Sequence, residues 1–200
     1  MIHKPAGILV SGNRFRTIAN ALARNLTPSN QPGAVASQPI HRLDYGTTGI
    51  LLIGKTMDCI RILNQMFEHR KITKTYYAVS IGNMNKNGTI SSKIDGKDSQ
   101  SEYQVIRSVT SEKYEKLNLV KLSPITGRRH QLRKHLAEIG NPILGDFEYG
   151  KAGLILKKKG IYLHAYSLTF SHPINQQRIN CKSELPEKFV KILGDLSNEI

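Results

Sequence analysis

HRLDYGTTGILLIG, residues 41–54, carries two kinds of information in one run. Its second half, GILLIG at 49–54, is short, apolar and bounded by glycines, which predicts one buried strand. Its first half places a single carboxylate, Asp44, two positions from Arg42 and directly ahead of Gly46, Thr47, Thr48 and Gly49. A loop held by a rigid strand is a good platform for a reactive side chain. An aspartate before a Gly/Thr segment is also well suited to capping its own backbone. Position alone leaves both readings open.

RTIANALARNL (16–26) sets Ile18, Leu22 and Leu26 at helical spacing, and MDCIRILNQMF (57–67) does the same with Cys59, Ile60, Leu63 and Phe67. TYYAVSIG (75–82), YQVIRSV (103–109), KLNLVKLS (116–123) and IYLHAYSLTF (161–170) have the β-branched, aromatic and alternating pattern of half-buried strands. Strands interrupted by few helices predict an α+β chain with a mixed, largely antiparallel sheet flanked by helices. TPSNQPGAVASQP (27–39) reads as a loop. NMNKNGTISSKIDGKDSQSE (83–102), the least hydrophobic stretch, reads as an ordered excursion tethered by Ile90 and Ile94. One domain over residues 1–200 is expected, burying on the order of 70% of its unfolded surface without metal or disulfide.

Lys and Arg number 29 against 15 Asp and Glu, a net charge of +14 and a pI near 9.9, which suits a protein that meets a polyanion. No run of about 18 apolar residues exists, and the basic residues are spread along the chain, so a membrane is not the expected partner. Cys59 and Cys181 form neither a C-x-x-C pair nor a framework, and the apolar run near the N-terminus is too short for a signal peptide. A reducing, cytoplasmic setting follows as the expectation. Nucleic acid is the expected partner.

SPITGRRHQLRKHLAEIGNPILGD (123–146) is the densest chemical stretch. Pro124 and Gly127 bracket a turn, Thr126 is the expected N-cap, and Gly140 followed by Pro142 ends the helix. Leu132, His135, Leu136 and Ile139 form the inward stripe, with Lys134 and Glu138 toward solvent. Arg129 and Arg133 fall on the stripe's border, where a guanidinium can reach a partly buried carboxylate. Arg128, at the amino end, can meet a phosphate together with open backbone N–H groups. A plain amphipathic helix with a solvated basic rim is the competing reading. His130 and His135 are five apart and no further ligands accompany them, so no metal is expected. No Ser/His/Asp set, paired-carboxylate motif or phosphate loop competes with Asp44. One carboxylate, held ionised by a distant arginine such as Arg133, suits covalent or acid/base chemistry on a nucleic-acid component.

HRLDYGTTGILL resembles the catalytic motif of the RluA-type RNA pseudouridine synthases, HRLD-x-x-T-S/T-G-x-x-L. Further stretches similar to that family follow in order: HKPAGILV (3–10), KTYYAV (74–79), TGRRHQLRKHL (126–136), GNPILGDFEYG (140–150) and LHAYSLTFSHP (163–173). The resemblance implies a single pseudouridine synthase catalytic domain with a central basic cleft and no appended S4-like RNA-binding domain. It implies isomerisation of uridine in structured ribosomal or transfer RNA, without cofactor or metal, by a monomer needing no obligate protein partner. By the same resemblance Asp44 is the catalytic aspartate, Arg133 the basic residue that pairs with it, and Tyr76 the tyrosine that stacks on the target base. Arg42 would help fill the space left by a nucleotide flipped from its stack, and Leu163 would line the uracil pocket. Arg128, Arg129, His130 and Gln131 are the remaining candidates for substrate contact. Whether Asp44 attacks C1′ or C6, or abstracts a sugar proton, stays open. Two positions depart from the family pattern: Arg129, usually a small hydroxyl residue, and Lys134, commonly apolar. A non-catalytic RNA-binding factor with the same fold, or a nuclease or phosphotransferase using His41 and His130, are the alternatives.

Overall fold

In the computed structural model, which describes residues 1–156 and 160–200, the chain is α+β and builds two units, each around its own apolar core. Along the chain the elements are β1 (Ile2–Lys4), α1 (Ile18–Asn25), β2 (Ala34–Pro39), β3 (Thr48–Leu51), β4 (Ile53–Thr56), α2 (Met57–Glu68) and β5 (Thr73–Ile81). Then follow β6 (Asn87–Ile94), β7 (Lys97–Ser111), β8 (Glu115–Pro124), α3 (Gln131–Glu138), β9 (Leu163–Ser171), β10 (Arg178–Lys182) and α4 (Glu187–Leu193). One unit holds Met1–Thr73 and Ser167–Ser183, the other Lys74–Tyr166 and Glu184–Ile200.

In the first unit β1 pairs antiparallel with β3, β2 with β4, and β10 with β9. The GILLIG run, predicted as one strand, is two. Leu52 breaks it: its carbonyl accepts from Ile40 N at 2.9 Å and its amide donates to His41 Nε2 at 3.1 Å. The chain thereby leaves the β1 ladder and joins the β2 ladder within one residue. A wholly apolar run has no polar position to mark such a switch: Leu51 and Leu52 are buried and Ile53 is half-buried. The stretch 27–39, predicted as a loop, supplies β2, whose residues alternate between exposed and half-buried. Its single partner β4 makes it an edge strand, where Pro39 is tolerated. Helices α1 and α2 form where their spacing predicts, each opened by a threonine: Thr17 Oγ1 accepts from Asn20 N at 3.2 Å and Thr56 Oγ1 from Cys59 N at 3.4 Å. A side chain at Gly54 would run into Ile60 and Ile40, so the glycine lets α2 close onto the strand.

The second unit is an antiparallel sheet in the order β5-β8-β7-β6. The polar excursion 83–102 is a hairpin. Asp95 (φ 52°) and Gly96 (φ 75°) make its two-residue turn between the paired Ile94 and Lys97, and Ile90 and Ile94 tether it to the core as expected. Helix α3 buries Leu132, His135 and Leu136, but Ile139 is 38% exposed, because the helix has ended by then and turns away through Gly140 at φ 81°. His135 is fastened to β7. Ser99 Oγ donates to Ser92 O at 2.8 Å, so its contact with His135 Nε2, also 2.8 Å, has the imidazole as donor. Helix α4 contributes Phe189, fully buried with its ring 5.5 Å from that of Tyr162. Phe189→Ala is expected to lower the free energy of unfolding by about 3–5 kcal/mol, measured by urea denaturation.

Candidate active site

Asp44 lies on the connection between β2 and β3, and its half-buried side chain belongs to a loop whose ends are fixed by the two ladders. Thr47 N donates to Asp44 O at 3.1 Å, closing a turn over Tyr45 and Gly46, and Gly7 N donates to Tyr45 O at 2.8 Å. Beneath the turn is Lys4, at 0% exposure. Its ammonium donates to Thr47 O and Pro5 O, both at 2.9 Å, and to Tyr45 O at 3.3 Å. Burial lowers the Lys4 pKa to about 8, the Asp44 carboxylate opposing that fall, so the amine is still mostly charged at neutral pH. Arg42 shares the loop and is exposed. His41 accepts the Leu52 amide at Nε2 and stacks on Phe67 with ring centroids 4.8 Å apart, which makes it a support of the loop.

In the second unit the charged constellation gathers at the amino end of α3. Thr126 does not cap the helix; His130 occupies that position with φ 55° and no side-chain cap bond. Thr126 Oγ1 instead bonds Gln131 Oε1 at 2.6 Å and accepts from Gln100 N at 3.0 Å. Gln131 is buried, its Oε1 also accepting from Arg128 N at 2.9 Å while its amide donates to Gln100 O and Ser101 Oγ. It sets the geometry of the turn that carries Arg128. Arg128 Nε donates to Asp98 O at 3.1 Å, and Arg129 is exposed. Tyr76 is half-buried on β5 opposite Leu122, and Leu163 is a core residue of β9, 3% exposed.

Arg133 is buried at 8% exposure and grips two carboxylates. Nε and Nη2 form a fork on Asp146 at 2.7 and 2.8 Å, and Nη2 also reaches Glu148 Oε2 at 3.0 Å. The guanidinium carbon is 4.8 Å from the centre of the Tyr149 ring, within cation–π range. Tyr149 OH lies 3.0 Å from His130 Nδ1, and burial, then the Glu148 hydrogen bond and charge, push the phenol up to about 12. Burial by itself would push the Asp146 carboxyl up, yet the hydrogen bonds and charge of Arg133, with the amides of Tyr149 and Glu148, hold it below the ordinary 3.8. Asp146 is placed by GNPILG, a segment stitched to β5: Leu144 N donates to Val79 O at 2.8 Å, and Ile81 N to Pro142 O at 3.0 Å. Gly145 has φ 79°, and a Cβ there would lie 2.1 Å from Gly160 O, so only glycine fits.

Sequence reasoning singled out Asp44, Arg42 and Arg133 but missed Lys4, Asp146, Glu148 and Tyr149. A lysine in a three-residue strand carries no mark of burial. The acids of GDFEYG were visible, but nothing local connects them to an arginine 13 and 15 positions earlier.

The description "RNA pseudouridylate synthase" matches residues 1–138. The chain is 30% identical over 222 residues to ribosomal large subunit pseudouridine synthase D of Nitrosomonas europaea, covering 99% of this chain and 62% of that protein. It is 33% identical over 209 residues to ribosomal large subunit pseudouridine synthase C of Rickettsia conorii, covering 96% and 67%. The chain thus spans roughly two thirds of the length of these relatives. Among solved structures it is similar to human RNA pseudouridylate synthase domain containing 4, with a TM-score of 0.74 at 27% identity, over 94% of this chain and 85% of that one.

Two outcomes follow from the site's geometry. Lys4→Met keeps the length of the side chain but takes one donor from each of three carbonyls, of which Tyr45 O keeps Gly7 N, and is expected to cost about 2–4 kcal/mol in urea denaturation. Asp146→Asn removes the forked, fully buried charge partner of Arg133, leaving it only the half-exposed Glu148, and is expected to cost about 3 kcal/mol at pH 6. A carboxyl with a depressed folded pKa stabilises above its unfolded value. The gap between wild type and Asp146→Asn in acid denaturation should therefore close as pH falls below 3.8 and through the lower folded value.

Proposed function

We propose that this chain, which belongs to the RNA pseudouridylate synthase family, isomerises particular uridines of structured RNA to pseudouridine, with Asp44 as the catalytic carboxylate. The observation that carries the reading is HRLDYGTTGILL, whose Asp44 stands on a loop between two strands, turned at Thr47 and underpinned by the Lys4 ammonium. A carboxylate on a fixed backbone is positioned before substrate arrives, which is what covalent or proton-transfer chemistry demands.

The reaction is balanced within the substrate. The N1–C1′ bond breaks, the uracil turns in place, C5 bonds to C1′, the C5 proton leaves to solvent, and N1 takes up a proton. No electron is gained or lost, so the bond changes need no redox partner. The glycosidic bond is shielded in a stacked helix, so the target nucleotide is expected to leave its stack, with Tyr76 as the aromatic face against the uracil. In this proposal Arg133 supplies the cation that pairs with Asp44, Arg42 occupies the space the nucleotide vacates, and Leu163 borders the base. Arg128, Arg129, His130 and Gln131 serve RNA contact from the amino end of α3, Gln131 by shaping the turn. The names of the two relatives make ribosomal RNA the first substrate to test, with transfer RNA as the second.

The test uses RNA carrying tritium at uridine C5. Wild-type protein should release the label, and Asp44→Asn should lower release by on the order of 10³-fold or more while RNA binding survives. Release from no ribosomal or transfer RNA, with binding intact, would leave a binding factor and end the isomerase reading.

A further inference from the structure

Phe15 stands between Arg14 and Arg16 on the loop from β1 to α1 and is 84% exposed. A single exposed apolar side chain is ordinary, so exposure by itself points to nothing. Three other observations do.

The loop is built, not slack. A bridge between Leu9 and Thr17 closes its base, and Ile18 N and Ala19 N donate to Leu9 O and Val10 O at 2.9 Å. The backbone that bears the ring is pinned as well: Asn20 Nδ2, in the first turn of α1, donates to Phe15 O at 2.9 Å and to Arg14 O at 3.3 Å, and Thr17 N to Phe15 O at 3.2 Å. A two-torsion aromatic side chain on a fixed backbone loses little freedom when something stacks on it. Next, Arg14 and Arg16, both exposed, stand on either side of Phe15 in the chain. An aromatic face among cations is the combination that holds unpaired nucleotides, the ring taking a base and the arginines the phosphates. Finally, an open pocket of about 470 Å³ shares the same anchor. Asn20, which holds the Phe15 carbonyl, lines it with Val10, Ser11, Ser37 and Gln38, and so does Arg42, two residues ahead of Asp44. Its size admits a nucleoside, and its mixed lining offers an apolar wall and hydrogen-bonding groups for a base edge or ribose.

We propose that this pocket and the Arg14-Phe15-Arg16 loop form a subsite for a nucleotide neighbouring the target uridine in an unpaired stretch of RNA. The inference rests on the isomerase reading for the meaning of "target", but the binding itself does not require turnover. Paired RNA does not fit the subsite, because bases in a duplex are already stacked and offer no free face.

The chain contains no tryptophan, so Phe15→Trp introduces a lone indole as reporter. A short unpaired ribo-oligonucleotide containing uridine should quench its emission saturably, and annealing the complement should remove most of the quenching. Phe15→Ala should weaken binding of the same oligonucleotide roughly 5- to 100-fold, with a parallel rise in KM for label release. Emission unchanged by RNA in a variant that still releases the C5 label overturns the subsite and leaves the isomerase reading standing. Equal quenching by duplex, or unaltered binding in Phe15→Ala, overturns it too. Quenching by unpaired RNA without release from any RNA supports the subsite and defeats the isomerase reading.

Discussion

The ammonium of Lys4 is the fixed point of the Asp44 loop. Removing such a charge from water costs several kcal/mol, and the structure offsets this with three carbonyl oxygens from two segments that lie 41 and 43 residues apart from it or directly beside it. Lys4 is at once a rung of the β1–β3 ladder, opposite Gly49, and the plug beneath residues 44–47. One side chain thus ties the register of a strand pair to the conformation of the loop that leads into its partner strand. A shift of one residue in that ladder would send the ammonium to the other face and empty the turn of its donor.

Arg133 repeats the principle in the second unit. It too is a buried cation, held by a fork to Asp146, by Glu148 and by the face of Tyr149. Buried ion pairs are weak sources of net stability, since desolvation cancels most of the attraction, yet they are expensive to break. Their value is directional: a planar guanidinium forked on a carboxylate has one orientation. Both buried cations therefore serve geometry, and the charge of Arg133 is answered by two carboxylates beside it, so it adds little to the field that a distant polyanion feels. That task falls to the exposed members of the +14 balance, among them Arg14, Arg16, Arg42 and Arg129.

Periodicity made α1, α2 and the cores of β5, β7, β8 and β9 legible, because each buries a face whose repeat survives in the sequence. It failed where the repeat carries no information. The apolar run at 49–54 hid the sheet switch at Leu52, and the polar run at 83–102 hid a hairpin whose Asp95-Gly96 turn was in plain view among many other polar residues. Thr126 was placed as a cap by type and spacing, but a buried Gln131 competes for its hydroxyl, and only the fold brings Gln100 to the same point. Asp44 was legible as a loop carboxylate. Its support by Lys4 was not, since a contact across 41 to 43 residues leaves no local trace.

The two departures from the family pattern now separate. Lys134 points its amine at Asp95, 3.2 Å away at the tip of the β6–β7 hairpin, so its charge is partly answered inside the protein. An exposed pair of this kind adds at most about 1 kcal/mol, but it shifts the field seen from outside toward neutral. Arg129 is exposed on the turn ahead of α3, one residue beyond an Arg128 whose Nε is fixed to the Asp98 carbonyl. Of the two added charges, Arg129 is the one presented to solvent on a turn that Gln131 and Thr126 hold rigid. A guanidinium on a rigid turn contacts an anion with less loss of freedom than one on a mobile loop, and of the two positions only Arg129 is placed in that way.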